Sequence, residues 1–231
     1  MMLPFLNGQL VPVRVRIALA AVLTTMTFAL VNEQVVVPTN IVDLGLMGVK
    51  EILVGLLMGL AVRIVFSMVE FAGHVISTET GLMMSNSFDP ISASQSTTIS
   101  TLLFYLTSLI FLITGLHREL FIAFARSFEY VPLSLSLYGL QGIETLTRAS
   151  GQIFSVGLQM AAPLVALNFI ITISFAVLGK AAPKINVFML SFSVRILGGL
   201  ALLFMTLGLI TQYIYLYVKA SPERMLEFLI Y

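Results

Sequence analysis

The sequence predicts an all-α protein of the polytopic membrane type, and three observations carry that prediction. Of its 231 residues, 58% are hydrophobic and 10% charged, with a mean hydropathy of +1.03. An ordinary soluble domain carries about 25% charged residues. The charges that exist are gathered between long charge-free runs. A soluble globular enzyme and a disordered chain are both excluded on these grounds. Twelve Lys and Arg against eleven Asp and Glu give a formal net charge of +1, so no basic excess points to nucleic acid. Cysteine is absent, which removes thiol chemistry, disulfides and Cys-based metal sites. His74 and His117 are too far apart in sequence to form a local metal motif, and no cofactor or metal is expected.

The runs predict the helices in order. The first covers 17–32, just after Arg14 and Arg16, and is marginal for a span. The second, 52–62, is too short alone, because a hydrocarbon core about 30 Å thick needs roughly 20 apolar residues. It must therefore continue through Arg63 towards Ile76. A third run covers 90–117, apolar over 99–116. The fourth is 149–179, and the fifth is 196–218, preceded by 185–194. Lys50 and Glu51 are adjacent, point to different helix faces and are expected to mark an interfacial turn. Arg195 interrupts an apolar stretch, either snorkelling to a headgroup or making a buried contact. The first basic residue follows an apolar start, so no secretory signal is expected. Basic residues flank both ends of the fifth run, at Lys180 and Lys184 and at Lys219 and Arg224. The positive-inside rule then gives no consistent topology.

Several polar residues sit where lipid would not tolerate them. Arg63, Ser67, Glu70, His74 and Ser77 fall three or four apart and share one helix face, opposite Ile64, Val65, Phe66, Val69 and Phe71. This stripe faces protein or water: it lines a conduit, makes a polar subunit contact, or is a salt-bridge stripe against a neighbouring helix. Gly55 and Gly59 form a Gly-x-x-x-Gly pair, and Gly198 and Gly199 are adjacent, both suited to close helix packing. Pro163 is expected to kink or break the fourth run, and Pro183 to lie just past its end. Residues 85–100 are rich in Ser and Thr and are broken by Asp89-Pro90, a turn signal. With Met83, Met84 and Phe88 ahead of that turn, the segment is either a mobile loop in a passage or a solvated connection. No phosphate-binding loop, zinc motif or nucleophile elbow is present.

Five stretches carry a resemblance: VPVRVRIALA (11–20), GLAVRIVFSMVEFAGHVIS (59–77), GLMMSNSFDP (81–90), GLQMAAPLVALN (157–168) and KAAPKINVFMLSFSVRILGGL (180–200). In this order they resemble the FliR family of the flagellar type III export apparatus, whose relatives in virulence-type secretion systems are SpaR and YscT. The last stretch looks most like the flagellar form. The resemblance implies a single domain over 1–231: a FliP-like helical part (1–150), then a FliQ-like helical hairpin and tail (151–231). It also implies a hetero-oligomeric export gate in the bacterial inner membrane, at the flagellar basal body. There one copy of this chain would join FliP-like and FliQ-like subunits, with FlhB-like and FlhA-like proteins attached and unfolded flagellar subunits passing through. The segment at about 81–98 corresponds to the family's plug loop, which places Met83, Met84, Phe88, Asp89 and Pro90 in the pore. Family members often carry more Phe there. They also begin with a further apolar segment ahead of the block matching 3–16, which here lies upstream or is lacking. The alternatives are a virulence-type gate and a small secondary transporter; no enzyme is expected.

Overall fold

The computed structural model describes residues 11–30, 40–83, 97–131 and 142–230. They form α1 (Val13–Leu30), α2 (Ile41–Glu79), α3 (Thr98–Ile113), α4 (Leu116–Tyr130), α5 (Gly142–Ala181), α6 (Val187–Lys219) and α7 (Ser221–Ile230), with no strand among the described residues. The protein is all-α. Three stretches are long and apolar enough to cross a membrane: α2, α5 over Thr147–Ala181, and the α6–α7 run over Val187–Leu229. The pair α3 and α4, bent by 72° at their junction, makes a fourth if it is one span. Helix α1 is not among them; at 18 residues and about 1.5 Å per residue it falls short of a 30 Å core.

Two local expectations are corrected. Lys50 and Glu51 mark no turn: both lie inside the unbroken 39-residue α2, with Lys50 only 7% exposed. Two adjacent charges remove no backbone hydrogen bond, so the apolar run on either side carries the helix through. Pro163 does not break α5 either; the helix continues through it for 40 residues. A proline removes one i→i−4 hydrogen bond, and apolar surroundings keep the rest of the ladder intact. The real break after α5 is at Pro183, in the turn before α6. There the Asn186 Oδ1 accepts from the Met189 N–H at 3.2 Å and caps the new helix.

Helices α4 and α7 were not anticipated, since both carry charges and leave no charge-free run. They are amphipathic. On α4 the buried residues are Leu116, Leu120, Ala123 and Ser127, one helical stripe. On α7 the buried residues include Met225, Phe228 and Leu229, and the two helices pack together. Gly115 has φ +71, the left-handed conformation that ends α3 and turns the chain into α4.

By their contacts the residues fall into two compact units. The first takes in residues up to 66, 110–151 and from 217 onward. It holds the α4–α7 pair, and Phe111 lies edge-on to Phe66 with ring centroids 6.2 Å apart. The second comprises 67–109 and 152–216. Its centre is the C-terminal half of α2, where Met68, Ala72 and Ile76 are completely buried at four-residue spacing. Three other helices approach that half closely. A Cβ on Gly73 would stand 2.5 Å from the Ser100 Cα of α3. One on Gly157 of α5 would stand 2.9 Å from the Met68 carbonyl oxygen, and one on Gly199 of α6 would stand 2.5 Å from the Thr80 Cγ2. Small residues let apolar helices meet backbone to backbone, which is how they pack without a hydrophobic driving force.

Candidate functional site

Within the second unit, α2 and α3 leave a cleft of about 520 Å³ between them. Three members of the expected stripe, Ser67, Glu70 and His74, form its α2 wall together with Phe71. Ser100, Thr101, Phe104 and Tyr105 form the α3 wall. Glu70 and His74 are exposed, whereas Val65, Phe66 and Val69 on the other side of α2 are buried. Arg63 is also exposed and lies one turn before Ser67, in the first unit. A charged side chain at the centre of a membrane helix costs about 2.5–3.5 kcal/mol on insertion scales, so this wall is not suited to lipid.

Ser77, the fifth residue of the stripe, is buried and does not open to the cleft. It starts a hydroxyl chain that ties α3 to α2. The Ser77 hydroxyl donates to Thr97 Oγ1 at 2.7 Å. Thr97 Oγ1 and Ser100 Oγ are 2.8 Å apart, and Ser100 Oγ donates to the Glu70 carbonyl oxygen at 3.2 Å. Each hydroxyl has one proton, so the chain runs in one direction, from Ser77 through Thr97 and Ser100 to the α2 backbone. Thr97 also accepts from the Ser100 N–H at 3.3 Å, capping α3. Thr97→Val keeps the shape and removes both functions. We expect it to lower stability by about 1–2 kcal/mol, read as a fall in thermal unfolding temperature in detergent; an unchanged transition would show that the Ser77 link is dispensable.

At the other end of the same α2 half, the Asn168 Nδ2 of α5 donates to Glu79 Oε2. Asn168 Oδ1 is buried with no hydrogen-bond partner among the described residues. Neither residue was singled out for this role, and no sequence spacing links positions on different helices. We expect Asn168→Ala to cost about 1.5–3 kcal/mol, the range for a hydrogen bond to a charged group. Combining it with Glu79→Gln should recover part of the loss in the same unfolding measurement. Arg195 is half-buried, and its Nη2 donates to Thr172 Oγ1 of α5 at 3.1 Å in an exposed contact.

Beyond Glu79 the chain turns at Gly81, whose φ is +76 and whose Cα faces the Phe192 ring; a Cβ there would be 3.0 Å from that ring. Met83 is exposed and lines a second cleft of about 410 Å³ with Thr78, Phe188, Phe192 and Arg195. Met84, Phe88, Asp89 and Pro90 lie outside the described residues. Of the glycines singled out for packing, Gly199 faces Thr80, a Cβ on Gly198 would stand 3.7 Å from the Leu167 Cδ2, and the space at Gly55 is open; Gly59 is half-buried. Gly73 and Gly157, where an added Cβ would meet backbone atoms of another helix within 3 Å, were missed, because glycine is frequent in membrane helices and only distance distinguishes the ones in contact.

Comparison with known proteins gives a consistent match. The family model of bacterial export proteins, family 1, matches residues 1–220. The flagellar biosynthetic protein FliR of Caulobacter vibrioides is 26% identical over 90% of this chain and 83% of its own length. The protein of the same name from Aquifex aeolicus is 29% identical over 90% of this chain and 80% of its own. That of Escherichia coli is 26% identical over 91% and 80%.

Proposed function

The chain belongs to the bacterial export proteins, family 1, and on that premise we propose that it is a core subunit of the flagellar type III protein export gate. With FliP-like and FliQ-like subunits it forms the channel through which unfolded flagellar proteins leave the cell. FlhB-like and FlhA-like proteins attach to this gate, in the inner membrane at the flagellar basal body. Its role is that of a channel component and not of a catalyst. The observation that carries this reading is the family match along nearly the whole chain, with relatives named flagellar biosynthetic protein FliR.

The surface supports the same reading. In the apolar windows of α5 and of the α6–α7 run only 17% of residues are buried, against 44% in α2. Phe169, Ile173 and Val177 on α5 and Phe204 and Met205 on α6 are all exposed. Such faces need cover from lipid or from other helices. In the gate reading they pack against FliP-like and FliQ-like helices. The segment between Met83 and Thr97 acts in this reading as the plug that obstructs the resting channel, with Met83, Met84 and Phe88 as apolar residues and Asp89-Pro90 as its turn.

Co-purification tests it. The tagged chain is expressed with and without FliP-like and FliQ-like partners, and the product is weighed by native mass spectrometry. One copy of this chain in a large hetero-oligomer is the expected result. A homo-oligomer of this chain alone overturns it and favours a small transporter.

A further inference from the structure

Arg195 of α6 carries a charge that the described residues leave uncompensated. It lines the cleft of about 410 Å³ with Thr78, Met83, Phe188, Ser191 and Phe192. Its Nη2 meets the neutral Thr172 hydroxyl, and its Nε is shut off from water with no acceptor among the described residues. It makes no ion pair among those residues, and the cleft lining holds no acidic side chain. Glu79, at the end of α2, is held by Asn168 instead. The two hydroxyls of the lining are neutral. Each gives its proton to a backbone carbonyl, Thr78 to His74 at 2.9 Å and Ser191 to Phe188 at 2.8 Å. The guanidinium is thus the one charged group of the lining. A planar fork of N–H donors with no counter-ion suits an anion, a phosphate or a carboxylate.

Depth and surroundings decide between those two. The charge-free run 196–218 is about 34 Å long at about 1.5 Å per residue, close to the thickness of a hydrocarbon core. Arg195 and Lys219 bracket that run, so Arg195 stands at the edge of the core, where a guanidinium reaches lipid phosphates. Phe188, Met189 and Leu197 around it are 73%, 70% and 71% exposed, apolar surface of the kind that acyl chains cover. Lys180 at the end of α5 and Lys184 in the turn before α6 are both exposed. They extend the positive charge outward from the core. Basic pockets between membrane helices recognise anionic headgroups in this way. We propose that the cleft binds an anionic phospholipid, with Arg195 paired to its phosphate and Met83 and Phe188 against its chains. The proposal goes beyond the gate reading. It rests on the membrane character of α6 and not on which subunits surround the chain.

The test uses the full chain in mild detergent, with any subunits that co-purify, after native lipid has been stripped away. Dioleoyl phosphatidylglycerol, dioleoyl phosphatidylcholine and glycerol phosphate are titrated in turn, and bound molecules are counted by native mass spectrometry. Phosphatidylglycerol is expected to bind about tenfold or more tightly than phosphatidylcholine, and glycerol phosphate to compete poorly. Arg195→Gln should abolish that preference, whereas Arg195→Lys keeps part of it. Equal binding of the two lipids, or an unchanged preference in Arg195→Gln, overturns the proposal. Glycerol phosphate bound as tightly as the lipid also overturns it, in favour of a soluble anion. A photo-crosslinking residue at the exposed Phe188 gives a second readout that leaves Arg195 in place. In vesicles holding both lipids, its adducts should favour phosphatidylglycerol. Adducts shared equally between the lipids, or formed with protein alone, overturn the proposal, the latter in favour of a carboxylate from a neighbouring chain. A chain that assembles with FliP-like and FliQ-like subunits but shows no lipid preference keeps the gate reading and loses this one. A chain that shows the preference but forms no hetero-oligomer does the reverse.

Discussion

Replacing Gly73 by alanine is expected to be the most damaging single-methyl change in the second unit. The added Cβ would lie 2.5 Å from the Ser100 Cα and 2.8 Å from the Ser100 nitrogen. Both are backbone atoms, so no rotamer change relieves the contact, and α3 must move away from α2. That movement lengthens the hydrogen bonds that join Ser77, Thr97, Ser100 and the Glu70 carbonyl. Overpacking of this kind costs about 1–3 kcal/mol, and the lost hydroxyl chain adds to it. Gly157→Ala should be milder, because its nearest neighbour, Phe71 Cδ1 at 2.6 Å, belongs to a side chain that can turn, although Met68 O at 2.9 Å cannot. Gly55→Ala meets nothing within 4 Å and should be neutral or stabilising by up to about 1 kcal/mol through helix propensity. The three variants are compared by thermal unfolding and by yield of the folded chain in detergent. A Gly55 variant as damaged as the Gly73 variant would show that these distances do not govern the packing.

The second large effect concerns the segment after Met83. Replacing residues 85–96 by a short Gly-Ser linker should leave assembly of the export complex intact and raise ion permeability through the resting gate severalfold. Assembly survives because two contacts that hold the flanking elements are made by residues that stay in place. Thr97 stays bonded to Ser77, and Glu79 stays bonded to Asn168. Permeability rises because the replacement removes Phe88, one of the apolar residues of the proposed plug, together with its Asp89-Pro90 turn, while Met83 and Met84 stay. Conductance measured on assembled complexes in planar bilayers checks this. Unchanged permeability with normal assembly would remove the plug role while leaving the gate reading in place.

Much of the fold was legible because apolar helices are specified locally. A charge-free run needs only its own backbone to satisfy its hydrogen bonds, so α5 and α6 could be read from the spacing of charges, and α2 only in part, by carrying the short 52–62 run on through Arg63. The same method overlooked α4 and α7, whose buried stripes are interleaved with Arg118, Glu119, Arg126 and Glu223. It also placed too much weight on single residues. Pro163 and the Lys50-Glu51 pair looked like interruptions, yet each lies inside a helix tens of residues long. One lost hydrogen bond, or two adjacent charges, is a small perturbation against so many bonds made on either side.

The stripe on α2 was legible as a face, but its meaning was not. Sequence placed Ser67, Glu70, His74 and Ser77 at helical spacing, which by itself implies neither a cleft nor a core. The structure separates them: the first three line an opening towards α3, while Ser77 turns inward to Thr97. Twenty residues of separation, and the approach of α3 at Gly73, decide that difference. The sequence alone thus determined an all-α chain with apolar helices and a polar face, because composition and 3.6-residue periodicity act within a segment. Which glycines are crossings, which hydroxyls join helices and which carboxylate lines a cleft was decided only by tertiary structure, because those properties depend on distances between residues far apart along the chain.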